Sequence, residues 1–267
     1  MTADREPTVQ ELFDLAGKTS LISGASGYLG GAMARALAEA GSRVVVTSRD
    51  ADRARAVAAG LPDAQGVGHR GFALDQMDAA SIEPALAQIL DEVGQLDVLV
   101  NNGHDPLAND WTDVTPEQFT RQLANATGYF QLARLVRDHA VERGGPASII
   151  MLGSMYGLVA SYPEAYQGIC PASPVAYHTL KGGIIHLTRH LAVYWAADGV
   201  RVNCLSPGPF PSAKAPAGLA DRLDTHSPMR RMGLPHELKG AVVFLASDAS
   251  SYMTGQNLVI DGGWTAW

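Results

Sequence analysis

Seven short apolar runs, at 19–23, 43–47, 71–74, 97–100, 147–152, 200–204 and 257–260, are separated by helical patterns at 31–40, 50–59, 80–93, 116–142, 174–197 and 235–246. Strands that alternate with helices pair in parallel, because each crossover lays a helix across one face of the sheet before the next strand begins. The pattern predicts an α/β fold, a doubly wound parallel seven-stranded sheet with helices on both faces. No stretch rich in Pro, Gly or Ser divides it, and no internal repeat is present. Residues 12–267 are therefore expected to form a single domain, with 1–11 as a mobile or peripheral N-terminal arm. Ligands of such sheets gather at the carboxyl ends of the strands. Two long segments rich in Pro, Gly and Tyr, 155–173 and 209–232, follow strand ends and are the expected substrate-facing loops, the second a candidate lid.

Bulk composition excludes several classes of function. The net charge of −7 argues against nucleic acid or an acidic membrane surface as a partner. Cys170 and Cys204 supply neither a disulfide framework nor metal-ligand spacing, so no metal is expected. The first residues are polar and lack a signal-peptide core, and no run is apolar enough to span a bilayer. A soluble, cytoplasmic protein acting on a small molecule is the expectation.

Tyr177 and Lys181 are the first candidate chemistry. Ser173 is expected to cap the helix that follows, with Pro174 in its first position. Residues four apart then share one helix face, which brings an ammonium close to a phenol. A free phenol ionises near pH ~10, and a fixed positive charge stabilises its phenolate. Such a pair moves protons near neutral pH, although the same spacing also arises by chance on surfaces. Upstream lie the glycine-rich turn Ser23-Gly24-Ala25-Ser26-Gly27-Tyr28-Leu29-Gly30, the segment Asn101-Asn102-Gly103, then Asn125 and Ser154. Downstream are Ser206-Pro207-Gly208-Pro209-Phe210-Pro211-Ser212 and Asp261-Gly262-Gly263-Trp264. Glycines between a strand and a helix permit a tight turn, and the helix start offers N–H groups to phosphate.

In this order the motifs resemble those of the short-chain dehydrogenase/reductase family over roughly residues 12–267. The resemblance implies a Rossmann-type fold and an NAD(P)-dependent oxidoreductase. In that role Tyr177 exchanges a proton with the substrate oxygen, Lys181 lowers the phenol's pKa and grips the nicotinamide ribose, and Ser154 positions the substrate oxygen. Asn125 holds a water that links Lys181 to solvent. The implied cofactor contacts are Gly24, Ser26, Gly27, Leu29 and Gly30 at the phosphates, Asp75 with Gln76 at the adenine, and Asn101 with Gly103 along the ribose and middle. Pro207, Phe210 and Ser212 are implied at the carboxamide. At the end of the second strand, Ser48 stands where NAD-preferring relatives carry Asp, and Arg49 follows it. A guanidinium forks onto phosphate, so NADP(H) is favoured, while Asp50 keeps NAD(H) open.

The chain also departs from the family pattern. Tyr28 stands where most members have their second glycine, and the spacing of Gly24, Gly27 and Gly30 looks like that of the extended, nucleotide-sugar branch. His104 replaces the last glycine of Asn-Asn-Ala-Gly and becomes a candidate substrate contact or a backbone-bonded histidine. Ser154 and Tyr177 lie 23 positions apart, which implies an insertion at 161–172 carrying Tyr162, Glu164, Tyr166 and Gln167. Its hydroxyls and amide suit a polyhydroxylated substrate, with Tyr162 and Tyr166 as candidate contacts and oligomer packing as the alternative. The ending 261–267 resembles that of gluconate and related sugar-acid dehydrogenases, and Trp264 and Trp267 are candidate substrate contacts or interface anchors.

The leading expectation is interconversion of a secondary alcohol and a ketone on a sugar, polyol or aldonate. A 3-oxoacyl thioester reductase is the alternative, and it requires a basic entrance for which Arg230, Arg231 and Lys239 are the nearest candidates, with Lys214 apart. A non-catalytic, cofactor-sensing module is the reading from another class. The resemblance further implies a homotetramer built on 116–142, 174–197 and the C-terminal region.

Overall fold

The computed structural model describes residues 5–266, so Trp267 lies outside the described residues. Strands β1 (Thr19–Ser23), β2 (Arg43–Ser48), β3 (Arg70–Ala73), β4 (Val98–Asn101), β5 (Ala147–Leu152), β6 (Val200–Pro207) and β7 (Asn257–Ile260) form one sheet in the order 3-2-1-4-5-6-7. Every pairing is parallel. Nine α-helices occur among the described residues: α1 (Val9–Phe13), α2 (Tyr28–Glu39), α3 (Ala51–Ala59), α4 (Ala79–Val93), α5 (Pro116–Glu142), α6 (Pro163–Tyr166), α7 (Val175–Trp195), α8 (Leu219–His226) and α9 (Lys239–Ala246).

Successive strand residues point to opposite faces, and both faces are apolar. Leu21, Leu99, Ile149 and Val202 pack into one core with Ile82 of α4, Leu132 of α5 and Leu180 of α7. Their neighbours Ile22, Val100 and Ile150, with Leu205, pack into the other core with Met33 and Leu37 of α2 and Val242 of α9. The expected doubly wound fold is what forms.

The differences are local and have physical causes. Helix α2 starts at Tyr28, three residues earlier than its apolar pattern, so the glycine turn is shorter and Gly30 lies inside the helix. Pro174, not Ser173, is the N-cap residue of α7; the Ser173 hydroxyl bonds His178 Nε2 at 2.9 Å instead. The N-terminal segment is peripheral, but it contains a capped helix. Thr8 and Glu11 form a capping box on α1, and Phe13 lies 6.2 Å from Phe244 of α9, ring centroid to centroid. Among the described residues, no helix is long and apolar enough to cross a membrane.

Candidate active site

Between β1 and β4 the strand order reverses, and the crossovers leave the sheet toward opposite faces. A cleft of about 580 Å³ opens there, lined by the turn at 23–30, the ends of β2 and β3, and residues 102–105 after β4. Gly24 has φ +66, and a Cβ on it would lie 2.7 Å from the Cα of Gly103. A Cβ on Gly30 would lie 2.4 Å from the Gly24 carbonyl. Only glycine lets the turn close this tightly. Gly27 is the N-cap of α2 and gives it no side-chain cap, which leaves first-turn N–H groups available to an anion. The residues present therefore fit a dinucleotide pyrophosphate.

Most of the expected cofactor residues meet in this cleft. Gly24, Ser26, Gly27, Leu29, Gly30, Ser48, Arg49, Asp75, Gln76 and Gly103 all line it, as does the half-exposed Tyr28. Asn101 does not. It is fully buried, its Nδ2 donating to the Tyr129 carbonyl at 3.0 Å, and it ties β4 to α5. Its neighbour Asn102 takes the place in the cleft, donating from Nδ2 to the carbonyls of Ser23 and Gly24 at 3.0 and 3.1 Å. Pro207, Phe210 and Ser212 lie off this cleft. Pro207 is buried at the end of β6, the Phe210 ring packs on Gly233, and the Ser212 hydroxyl accepts from Lys214 N at 3.2 Å.

At the adenosine end, the sequence reading missed a residue. Arg53 lines the cleft beside Arg49 and donates to the Ser26 carbonyl at 3.1 Å. Its spacing of four from Arg49 was the available signal. Asp50 is the N-cap of α3, accepting from Asp52 N at 2.9 Å and Arg53 N at 3.1 Å. Arg49 is largely exposed and sits 3.6 Å from Asp105 across the cleft.

The chemical centre lies where β5 meets α7. A Cβ on Gly157 would lie 2.7 Å from the backbone of Lys181, so the turn after Ser154 packs directly on that helix. Ser154 is buried beside Tyr177, its Oγ accepting from Tyr156 N at 3.1 Å. Lys181 is buried, its Nζ donating to the Leu152 carbonyl at 2.7 Å and lying 5.5 Å from the centre of the Tyr177 ring. Burial brings the ammonium down to about 8. Burial also raises the Tyr177 phenol above its ordinary value, with Ser154 opposing as the smaller influence.

Asn125 differs from expectation as well. Its Oδ1 accepts from Gln76 Nε2 at 3.1 Å and Asp105 N at 2.8 Å. Its Nδ2 donates to the carbonyls of Asp105 and Gln122 at 3.2 and 2.9 Å. An amide has two acceptor and two donor positions, so the side chain has none left for a relay water. It holds the loop after β4. His104, on that loop, makes a T-shaped contact with the Tyr177 ring, centroids 5.4 Å apart.

The insertion folds back onto the candidate lid. Arg222 of α8 donates to the carbonyls of Glu164 and Gln167 at 3.1 and 2.6 Å, and Tyr162 stacks on His226 at 4.0 Å. Tyr166 is buried, and its hydroxyl is bonded to that of Tyr156. Trp264 is buried beside Tyr162, with ring centroids 5.4 Å apart.

A family model described as "Enoyl-(Acyl carrier protein) reductase" matches residues 24–265. The chain is similar to a D-threitol dehydrogenase of Mycolicibacterium smegmatis, at 35% identity over 99% of both chains. It is similar to an NADP-dependent mannitol dehydrogenase of Alternaria alternata, at 33% identity over 96% of this chain and 95% of that one. Among solved structures, a gluconate 5-dehydrogenase from Burkholderia cenocepacia J2315, in complex with NADP and tartrate, superposes with a TM-score of 0.84. It is 28% identical over 97% of this chain and all of that one.

The buried ammonium has a thermodynamic consequence. Lys181 has its pKa depressed in the fold, so between about 8 and its unfolded value near 10.4 the unfolded chain binds more protons and stability rises with pH. Lys181→Met removes that dependence. Urea denaturation should show the variant's stability relative to the parent falling as pH is raised from 8 toward 10. A pH-independent difference would contradict a desolvated ammonium.

Proposed function

We infer the substrate class, cofactor preference and residue roles from the premise that the chain belongs to the short-chain dehydrogenase/reductase family. It is an NAD(P)-dependent oxidoreductase acting on CH–OH groups. Its proposed substrate is a sugar, polyol or aldonate, interconverted between secondary alcohol and ketone. The observation that carries this reading is the cluster of buried Ser154 and Lys181 with half-buried Tyr177, beside a glycine-lined cleft. When bound, the nicotinamide supplies or accepts the hydride. Tyr177 gives its proton to the substrate oxygen in reduction and takes it back in oxidation. Ser154 holds that oxygen in line. Lys181 fixes the local charge, and Asn125 holds the loop that closes the chamber.

Relatives named for threitol and mannitol support the polyol reading. The alternative, a reductase of acyl thioesters, is in keeping with the family model's description, but its basic entrance is weak. Arg231 pairs with Glu237 at 2.6 Å and Lys239 with Glu39 at 2.7 Å, which neutralises two of its three candidates. For the cofactor we favour NADP(H), because Arg49 and Arg53 flank the cleft while Asp50 is engaged as a helix cap. Exposed Val141 on α5 and Val193 and Tyr194 on α7 support a homotetramer through these helices. Free thiols at Cys170 and Cys204 suit the cytoplasm.

Nicotinamide absorbance, followed across polyols, ketoses, aldonates and acyl thioesters with both cofactors, should reveal turnover on the first three groups. Tyr177→Phe should lower kcat by roughly 10²–10⁴ with cofactor binding retained. Turnover confined to acyl thioesters, or a variant of near-parental rate, would reverse the assignment. Arg49→Ala and Arg53→Ala should each weaken NADPH by roughly 10- to 100-fold, as expected for a charge-assisted hydrogen bond, and NADH far less. Equal losses on both cofactors would remove the preference. Light scattering on the purified protein should give four times the chain mass, and a monomer at micromolar concentration would exclude the assembly.

A further inference from the structure

His104 is the one clear departure at the chamber, and what surrounds it defines its state. Its Nε2 lies 3.3 Å from Gln122 Nε2, on the inner face of α5. Gln122 is 1% exposed, and its Oε1 has no partner among the described residues. With the amide nitrogen of Gln122 facing it, His104 Nε2 is the acceptor of this contact. The neutral ring then bears its single hydrogen on Nδ1. That atom has no protein partner among the described residues, yet it is not among the sealed, unpartnered ones, and His104 lines the cleft.

We propose that Gln122 fixes His104 as the Nδ1–H tautomer, and that this N–H selects substrates carrying a second oxygen on the carbon next to the reacting one. The proposal rests on the reading of Tyr177 as the proton donor and deepens it. With the reacting oxygen at the Tyr177 hydroxyl, an imidazole whose centroid lies 5.4 Å from that ring is placed to reach an oxygen on the neighbouring carbon. A neutral donor there meets an oxygen at little desolvation cost, whereas a methylene leaves it unpaired. Burial and the Lys181 ammonium together hold the imidazole down to about 4, with Asp105 opposing, so the ring stays neutral through the working range. His104 is a specificity-determining residue in this scheme, and Gln122 is a positioning residue.

Two measurements test it. Nitrogen-15 NMR on histidine-labelled protein should show His104 protonated at Nδ1. Gln122→Glu, whose carboxylate accepts from Nε2–H, should move the proton to Nε2. Kinetics on the four-carbon series D-threitol, 2,3-butanediol and 2-butanol should show the parent favouring both polyols in kcat/KM. His104→Phe should reduce the preference for 2,3-butanediol over 2-butanol by about tenfold, the worth of one hydrogen bond. His104→Asn, whose amide can place a donor near Nδ1, should restore part of it, and Gln122→Leu should erode it. An Nε2–H tautomer in the parent, or equal losses on diol and mono-ol in these variants, would overturn the proposal. Parental protein inactive on every polyol and ketose would instead overturn the function on which it rests.

Discussion

The hydrogen bond from Lys181 Nζ to the Leu152 carbonyl ties α7 to the end of β5. It holds an ammonium in a position from which water has been removed. Burying that charge is costly, and the cost is tolerated because the carbonyl at the end of β5 is one of its few partners. Everything at the chemical centre is then referred to one point. Ser154 follows two residues after that carbonyl, and Tyr177 lies one helical turn before the lysine. The sheet sets the first position and α7 the second. Their contact at Gly157 fixes the distance between them.

Much of this arrangement is legible in the amino-acid sequence. Strand and helix periods gave the layers, because a parallel sheet requires apolar residues on both faces of nearly every strand. Glycines at 24, 27 and 30 marked the turn because no other residue accommodates its backbone. Tyr177, Lys181 and Ser154 were recognisable as a set, and the geometry brings them together. What the sequence hid was side-chain direction within a polar run. In Asn101-Asn102 the strand's alternation sends the first side chain into α5 and the second into the cleft, and either asparagine would satisfy a motif.

The same limit explains the remaining differences. Asn125 was read as a relay residue, but how many of its hydrogen bonds are taken depends on residues 3 to 49 positions away. Tyr166 looked available because tyrosines in an inserted loop are usually exposed. Here the insertion has an interior of its own, made with α8 and Trp264. Arg53 does not stand out in the sequence because an arginine on a helix with others is ordinarily a solvated residue, and only the path of α3 past the glycine turn gives it a task.

Asp105 is the feature with the widest reach. Arg121 of α5 grips its carboxylate at 2.8 Å while Arg49, across the cleft, stands at 3.6 Å, so a single anion is shared by two cations. Any phosphate that recruits Arg49 leaves Asp105 still neutralised by Arg121. The cleft can therefore exchange one negative partner for another without stranding a charge, and ligand entry becomes a swap of counterions in place of a separation of them.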